Sequence, residues 1–157
     1  MADQLMTDQK RELPSTTRSL PIALIRAREK VMVPIRGMLS QSGITEQQWR
    51  ILRVLDEFGP LDATKLSEAA CLLVPSQTRI VQTLVEKGYV TRTPDTVDRR
   101  RQTVAITEAG RRIIEDNLDQ AQGIARHFET VLGKEKLQTL LDLLGELDQL
   151  GAGPGSK

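Results

Sequence analysis

The chain has 157 residues, 39% of them apolar, only four aromatic side chains and a net charge of +1, which is the length of one domain with enough apolar mass for a core. A lone cysteine, Cys71, and a lone histidine, His127, exclude an internal disulfide framework and a Cys- or His-rich metal centre, so neither a metal nor another cofactor is expected. No apolar run approaches the roughly 18 residues of a membrane span, and the polar start, Met1 to Arg18, lacks the pattern of a signal peptide; a soluble, cytoplasmic protein is expected.

In chain order, residues 1–19 have no periodicity and read as a flexible arm, residues 20–150 as the domain, and the Gly-rich residues 151–157 as a flexible tail. Leu20, Leu24, Ala27 and Val31 recur at helical spacing, with Pro21 in the first turn and Pro34 predicting a kink or break. Ser42-Gly43 marks a turn, and Thr45 with Gln48 three residues on forms a capping box for a helix burying Trp49, Leu52, Leu55 and Phe58. Gly59-Pro60 ends it. Leu61-Asp62 starts a short helix with Leu66, Ala69 and Ala70 inward, and Cys71 to Val74 connects it to a second helix that begins near Pro75 and buries Ile80, Val81, Leu84 and Val85. Two short helices so joined are a helix-turn-helix unit, whose second helix can lie in a major groove. After Lys87-Gly88 the period changes: Tyr89 to Arg92 and Gln102 to Ile106 read as two strands around a polar tip. Thr107 and Glu108 open a long helix to about Leu132, Gly133 breaks it, and Leu137, Leu140, Leu141, Leu144 and Leu147 stripe a last helix. The fold expected is mainly α (α+β), a winged helix-turn-helix with N- and C-terminal helices.

The near-zero net charge hides a segregation. Residues 87–112 carry seven bases against three acids, and residues 113–150 three bases against eight acids. A basic patch on an acidic body can draw in phosphate by its local field. Two places could use it. Pro75, Ser76, Gln77, Thr78 and Arg79 put short polar groups and a guanidinium at the start of the second helix, where base edges and phosphates are read; an ordinary exposed first turn has the same composition. Asp98, Arg99, Arg100 and Arg101 put three guanidiniums at a hairpin tip that can enter the narrow minor groove, with Asp98 shaping the tip and Arg92 on the facing strand its candidate partner. A solvated loop is the alternative.

The run Gly88 to Arg92, then Asp98-Arg99-Arg100, then Val104 to Gly110 resembles the signature of the MarR family: a strand, a D-x-R wing and an L-T-x-x-G opening of the dimer helix. The resemblance covers about residues 20–150 in order and spacing. It implies that Arg100 is the wing-tip arginine of the minor groove and Asp98 its ordering carboxylate. It also implies a homodimer, built by the first and last two helices, that binds double-stranded DNA at a pseudo-palindromic operator with half-sites about 10 bp apart. The leucine stripe, too long to bury in a small monomer, fits dimerisation independently.

MarR-like regulators commonly bind an anionic aromatic compound or respond to oxidants. Cys71 sits in the apolar connection Cys71-Leu72-Leu73 rather than near the start of the first long helix, so it reads as a buried structural thiol, with the oxidant-responsive regulator as an alternative. The stretches from Ala23 to Glu29 and from Thr45 to Arg53, with Leu73-Val74-Pro75-Ser76, are similar to the branch of the family that represses homoprotocatechuate (4-hydroxyphenylacetate) degradation. That likeness implies repression of an aromatic-acid catabolic operon, relieved by a small aromatic carboxylate. Such a ligand needs a guanidinium fork and a flat apolar wall: Arg26, Arg28 and Arg50 are candidates for the first and Trp49 for the second, with Gln48 and His127 further candidates, in a pocket between the first two helices and the long helix after the wing. Core packing and interhelical ion pairs would use the same residues. No nucleophile set, glycine phosphate loop or metal cluster is readable, which argues against an enzyme. A protein-binding winged helix without DNA is the other alternative.

Overall fold

The computed structural model describes residues 13–151, so most of the expected arm and tail lies outside the described residues. The chain divides by packing into two compact units, Met1–Val33 and Pro34–Lys157.

In the first unit a turn at residues 16–18 is closed by the Arg18 N–H to the Ser15 carbonyl (2.7 Å). Helix α1, Leu20–Ser40, starts there, and Leu24, Ile25, Val31 and Val33 are exposed. A kink or break was expected at Pro34, and the helix runs through it without a break. Proline removes one backbone donor, and the turns before and after it hold the helical path.

In the second unit α2, Glu46–Phe58, begins at the expected capping box: Gln48 N–H donates to Thr45 Oγ1 and Thr45 N–H to Gln48 Oε1 (both 3.1 Å). Its buried stripe is Gln48, Ile51, Leu52 and Leu55, whereas Phe58 is exposed. The expected helix start at Leu61-Asp62 is instead a two-residue strand, β1, and Asp62 caps α3, Ala63–Ala70, by accepting from Lys65 N–H (2.9 Å). Helix α4, Val74–Glu86, follows, then β2, Val90–Pro94, and β3, Gln102–Ile106. The sheet is antiparallel in the order β1-β3-β2, with Leu61 opposite Val104 and Thr91 opposite Ala105. Pro94 is tolerated because β2 is an edge strand.

Thr107 starts α5, Glu108–Leu132, by accepting from Gly110 N–H (3.2 Å) and donating to the Gly88 carbonyl (2.6 Å). Gly110 is packed so closely that a Cβ there would lie 2.3 Å from the Tyr89 carbonyl oxygen. The main core joins Ile51, Leu52, Leu55, Leu66, Leu84, Val90, Val104 and Ile114. A second cluster, Met38, Leu39 and Ile44, is bridged to it by Trp49, Tyr89 and Ile113. The α1–α2 turn is pinned twice: Asn117 Nδ2 donates to Ser42 Oγ (2.9 Å) and Lys87 Nζ to the Gly43 carbonyl (3.0 Å). Helix α6, Lys134–Asp148, has no buried residue, and Leu140, Leu141, Leu143 and Leu147 are exposed.

Candidate nucleic-acid interface and adjoining cleft

The first turn of α4 presents Pro75, Thr78 and Arg79 to solvent, with Ser76 half-buried. Thr78 donates its hydroxyl to the Val74 carbonyl (3.0 Å), leaving its lone pairs for an outside donor. Gln77 is the exception among the five residues expected here. It is 2% exposed and donates from Nε2 to the Ala63 carbonyl (2.8 Å), so its amide faces α3 and not solvent. Gln77 precedes Val81 by four residues and Leu84 by seven, the spacing of the helix's buried stripe. That spacing was the signal for its burial.

Between β2 and β3 the chain folds on itself through two aspartates. Arg100 N–H donates to Asp98 Oδ1 (3.1 Å), Arg101 N–H to the Asp98 carbonyl (2.9 Å) and Val97 N–H to Asp95 Oδ1 (3.2 Å). The Arg100 side chain is 96% exposed, with Nε 4.0 Å from Asp98 Oδ1, and Arg99 and Arg101 are exposed beside it. An exposed pair of this length adds little stability; the backbone bonds shape the tip, and the guanidinium stays available. Arg92 is not the partner of Asp98: it donates to Gln82 Oε1, fastening β2 to α4, because its side chain leaves the hairpin on the helix side. Thr64 and Lys65, in the first turn of α3, face Arg100 and Arg101 across a groove of about 620 Å³. No motif pointed to them, since two exposed residues in a helix turn have no distinguishing pattern.

The residues expected at an effector site fall in several places. Arg26 and Arg28 belong to the first unit, where both are exposed and Arg28 Nη1 lies 3.9 Å from Glu29 Oε1. Gln48 is buried in the capping box. Trp49 is half-buried between the two apolar clusters. Arg50 donates from Nη1 to the carbonyls of Ala70 (2.9 Å) and Cys71 (3.2 Å), closing the C-terminal end of α3. Of these residues His127 alone lines a cleft, of about 350 Å³, formed with Ile124 and Gly123 of α5, with Gly37 and Met38 from the end of α1 and with Gln41 just after it. Helix α2 contributes nothing to its lining, although the expected pocket included it: the bulk of Trp49 fills that seam against Met38, Leu39 and Ile44. Gly37 and Gly123 were the readable signal, since glycine inside a helix costs about 1 kcal/mol relative to alanine and leaves room beside the backbone. Cys71 is exposed, contrary to the expected burial, because it adopts the left-handed conformation (φ 53°) that ends α3 and so turns away from the core.

A model of the MarR family matches residues 44–101. The chain is 41% identical over 132 residues to the HTH-type transcriptional regulator FarR of Neisseria gonorrhoeae, covering 84% of this chain and 90% of that one. It is 36% identical over 133 residues to the homoprotocatechuate degradative operon repressor of Escherichia coli, covering 85% and 90%. The crystal structure of NadR in complex with 4-hydroxyphenylacetate is 39% identical, with a TM-score of 0.78 over 89% of this chain and 99% of NadR. The chain therefore belongs to the MarR family of DNA-binding transcription regulators, which are not enzymes.

Proposed function

We propose that this regulator represses an aromatic-acid catabolic operon and releases its operator when a small phenolic carboxylate binds. The observation that carries the DNA side is the wing tip. Three adjacent exposed guanidiniums sit on a loop whose backbone is already folded by Asp98, so little order remains to be imposed when Arg100 enters a minor groove. Ser76, Thr78 and Arg79 reach base edges or phosphates from the start of α4, and Arg99 and Arg101 hold the flanking phosphates. The protein acts as a homodimer in the cytoplasm. A helix such as α6, with no buried residue and four exposed leucines, calls for a second copy to cover it, and a two-fold axis gives two half-sites about 10 bp apart.

On the effector side, the cleft between α1 and α5 has the volume of a site for one aromatic ring. Met38 and Ile124 supply the apolar walls, and Gln41, Gln120 and His127 the polar groups. Arg26 and Arg28 remain candidates for the carboxylate on residue chemistry alone. The repressor and the 4-hydroxyphenylacetate-bound relative support a phenolic acid as the class. Because α1 and α5 are joined at this cleft, and the turn after α1 is held by both Asn117 of α5 and Lys87 at the end of α4, a ligand that prizes them apart also shifts the recognition helix. A coupling of about 1–3 kcal/mol is enough for a useful switch. The test is titration of 4-hydroxyphenylacetate and related phenolic acids into the protein–DNA complex. Release at saturating acid is expected, and operator affinity unchanged across the panel would overturn the effector reading.

A further inference from the structure

Among the residues at the start of α4, Gln77 is the one that does not face outward. Its Nε2 donates to the Ala63 carbonyl (2.8 Å), and its Oε1 is buried with no partner among the described residues. Ala63 is the first residue of α3. Directly before it, Asp62 pairs with Thr103 of β3, and β3 follows directly on Arg99, Arg100 and Arg101. One buried amide therefore fastens the recognition helix to the root of the wing. Beyond that root the wing has open space beside it, because a groove of about 620 Å³ separates Thr64 and Lys65 from Arg100 and Arg101. A second link from α4 to the wing joins the exposed Gln82 to the half-buried Arg92 at the surface, where water competes for the pair. The Gln77 tie is the firmer of the two, since its amide is 2% exposed and a hydrogen bond with less water around it is weakened less by competition.

We infer that Gln77 is a positioning residue for operator reading: it contacts no base, and it fixes the offset between α4 and the wing so that both enter their grooves together. This rests on the DNA reading proposed above. In the opposite arrangement, with a base-reading Gln77, the amide would have to leave the core and abandon Ala63.

The test uses the full chain and a labelled duplex selected from a random-sequence pool by the wild-type protein. Gln77→Met keeps the length and bulk of the side chain and removes the donor. Gln77→Asn keeps the amide and is one methylene too short to reach Ala63, so it serves if the first variant folds poorly. Either variant, still folded by its melting curve, is expected to bind about tenfold more weakly and to lose about one unit of salt slope, as if wing phosphate contacts had been given up. The decisive readout is the double substitution with Arg100→Ala. If Gln77 positions the wing, the roughly tenfold penalty of Arg100→Ala shrinks to under about threefold when Gln77 is already replaced. A loss of fold stability alone would leave the salt slope unchanged and the penalties additive. Additive penalties, an unchanged slope or wild-type affinity overturn the inference. An Arg100→Ala substitution that costs nothing even with Gln77 intact overturns the wing reading itself, and the inference with it.

Discussion

Gly110→Ala tests how tightly α5 is seated on the wing sheet. A Cβ at residue 110 would lie 2.3 Å from the Tyr89 carbonyl oxygen and 2.8 Å from Ile106 Cγ1. The first of these is backbone, so it cannot swing aside, and α5 must withdraw by about 1 Å, an overpacking that costs about 1–3 kcal/mol. The same Tyr89 oxygen accepts the Thr107 N–H (3.0 Å), so the withdrawal also strains the bond that anchors the start of α5, about 1 kcal/mol net. Alanine returns about 1 kcal/mol of helix propensity. The balance is a loss of about 1–3 kcal/mol, or roughly 3–10 °C in Tm for a chain of this length. Thermal melts of wild type and variant, followed by circular dichroism at one protein concentration because dimerisation couples to stability, read the effect. A Gly110→Ala protein that melts at or above wild type would refute the seating described here.

Arg50→Met removes the donor shared by the Ala70 and Cys71 carbonyls and is expected to destabilise by about 1–3 kcal/mol in urea unfolding, with effector affinity unchanged by calorimetry; a selective loss of effector binding would instead make Arg50 a ligand of the effector. Thr107→Val loses the N-cap to Gly110 and the bond to the Gly88 carbonyl and is expected to cost about 1–2 kcal/mol, while Thr107→Ser restores most of it in the same melt. Gly123→Ala places a methyl where nothing lies within 4 Å, so stability is expected to rise by up to about 1 kcal/mol, while the narrowed cleft weakens phenolic-acid binding in a calorimetric titration.

Much of this fold is legible in local chemistry. The Thr45–Gln48 capping box, Thr107 before the long helix and the glycines at 88 and 133 are punctuation whose cause lies within a few residues of its effect. The basic hairpin tip is legible for the same reason. What escaped the sequence depends on distant partners. Leu61 and Asp62 become a strand only because β3 lies beside them, and two residues are too short to show a period. Gln77 looks like its polar neighbours until the Val81–Leu84 stripe is extended back to it, and its partner, Ala63, is fourteen residues away. Arg92 and Arg50 are drawn to Gln82 and to the end of α3, partners that no motif announces. The cleft is composed of helix faces far apart in sequence, Gly37 to Gln41 and Gln120 to His127. Trp49 packs against both apolar clusters, a placement its sequence context does not announce because large aromatics serve cores and pockets alike.

The most direct test of the central claim is binding to DNA from the regulator's own upstream region, measured by fluorescence anisotropy over a range of salt for wild type and Arg100→Ala. A salt-dependent specific complex, weakened by the substitution by about 1–3 kcal/mol, is the predicted result. A protein that forms no specific complex in the absence of effector, or one that binds equally well without the Arg100 guanidinium, would contradict it.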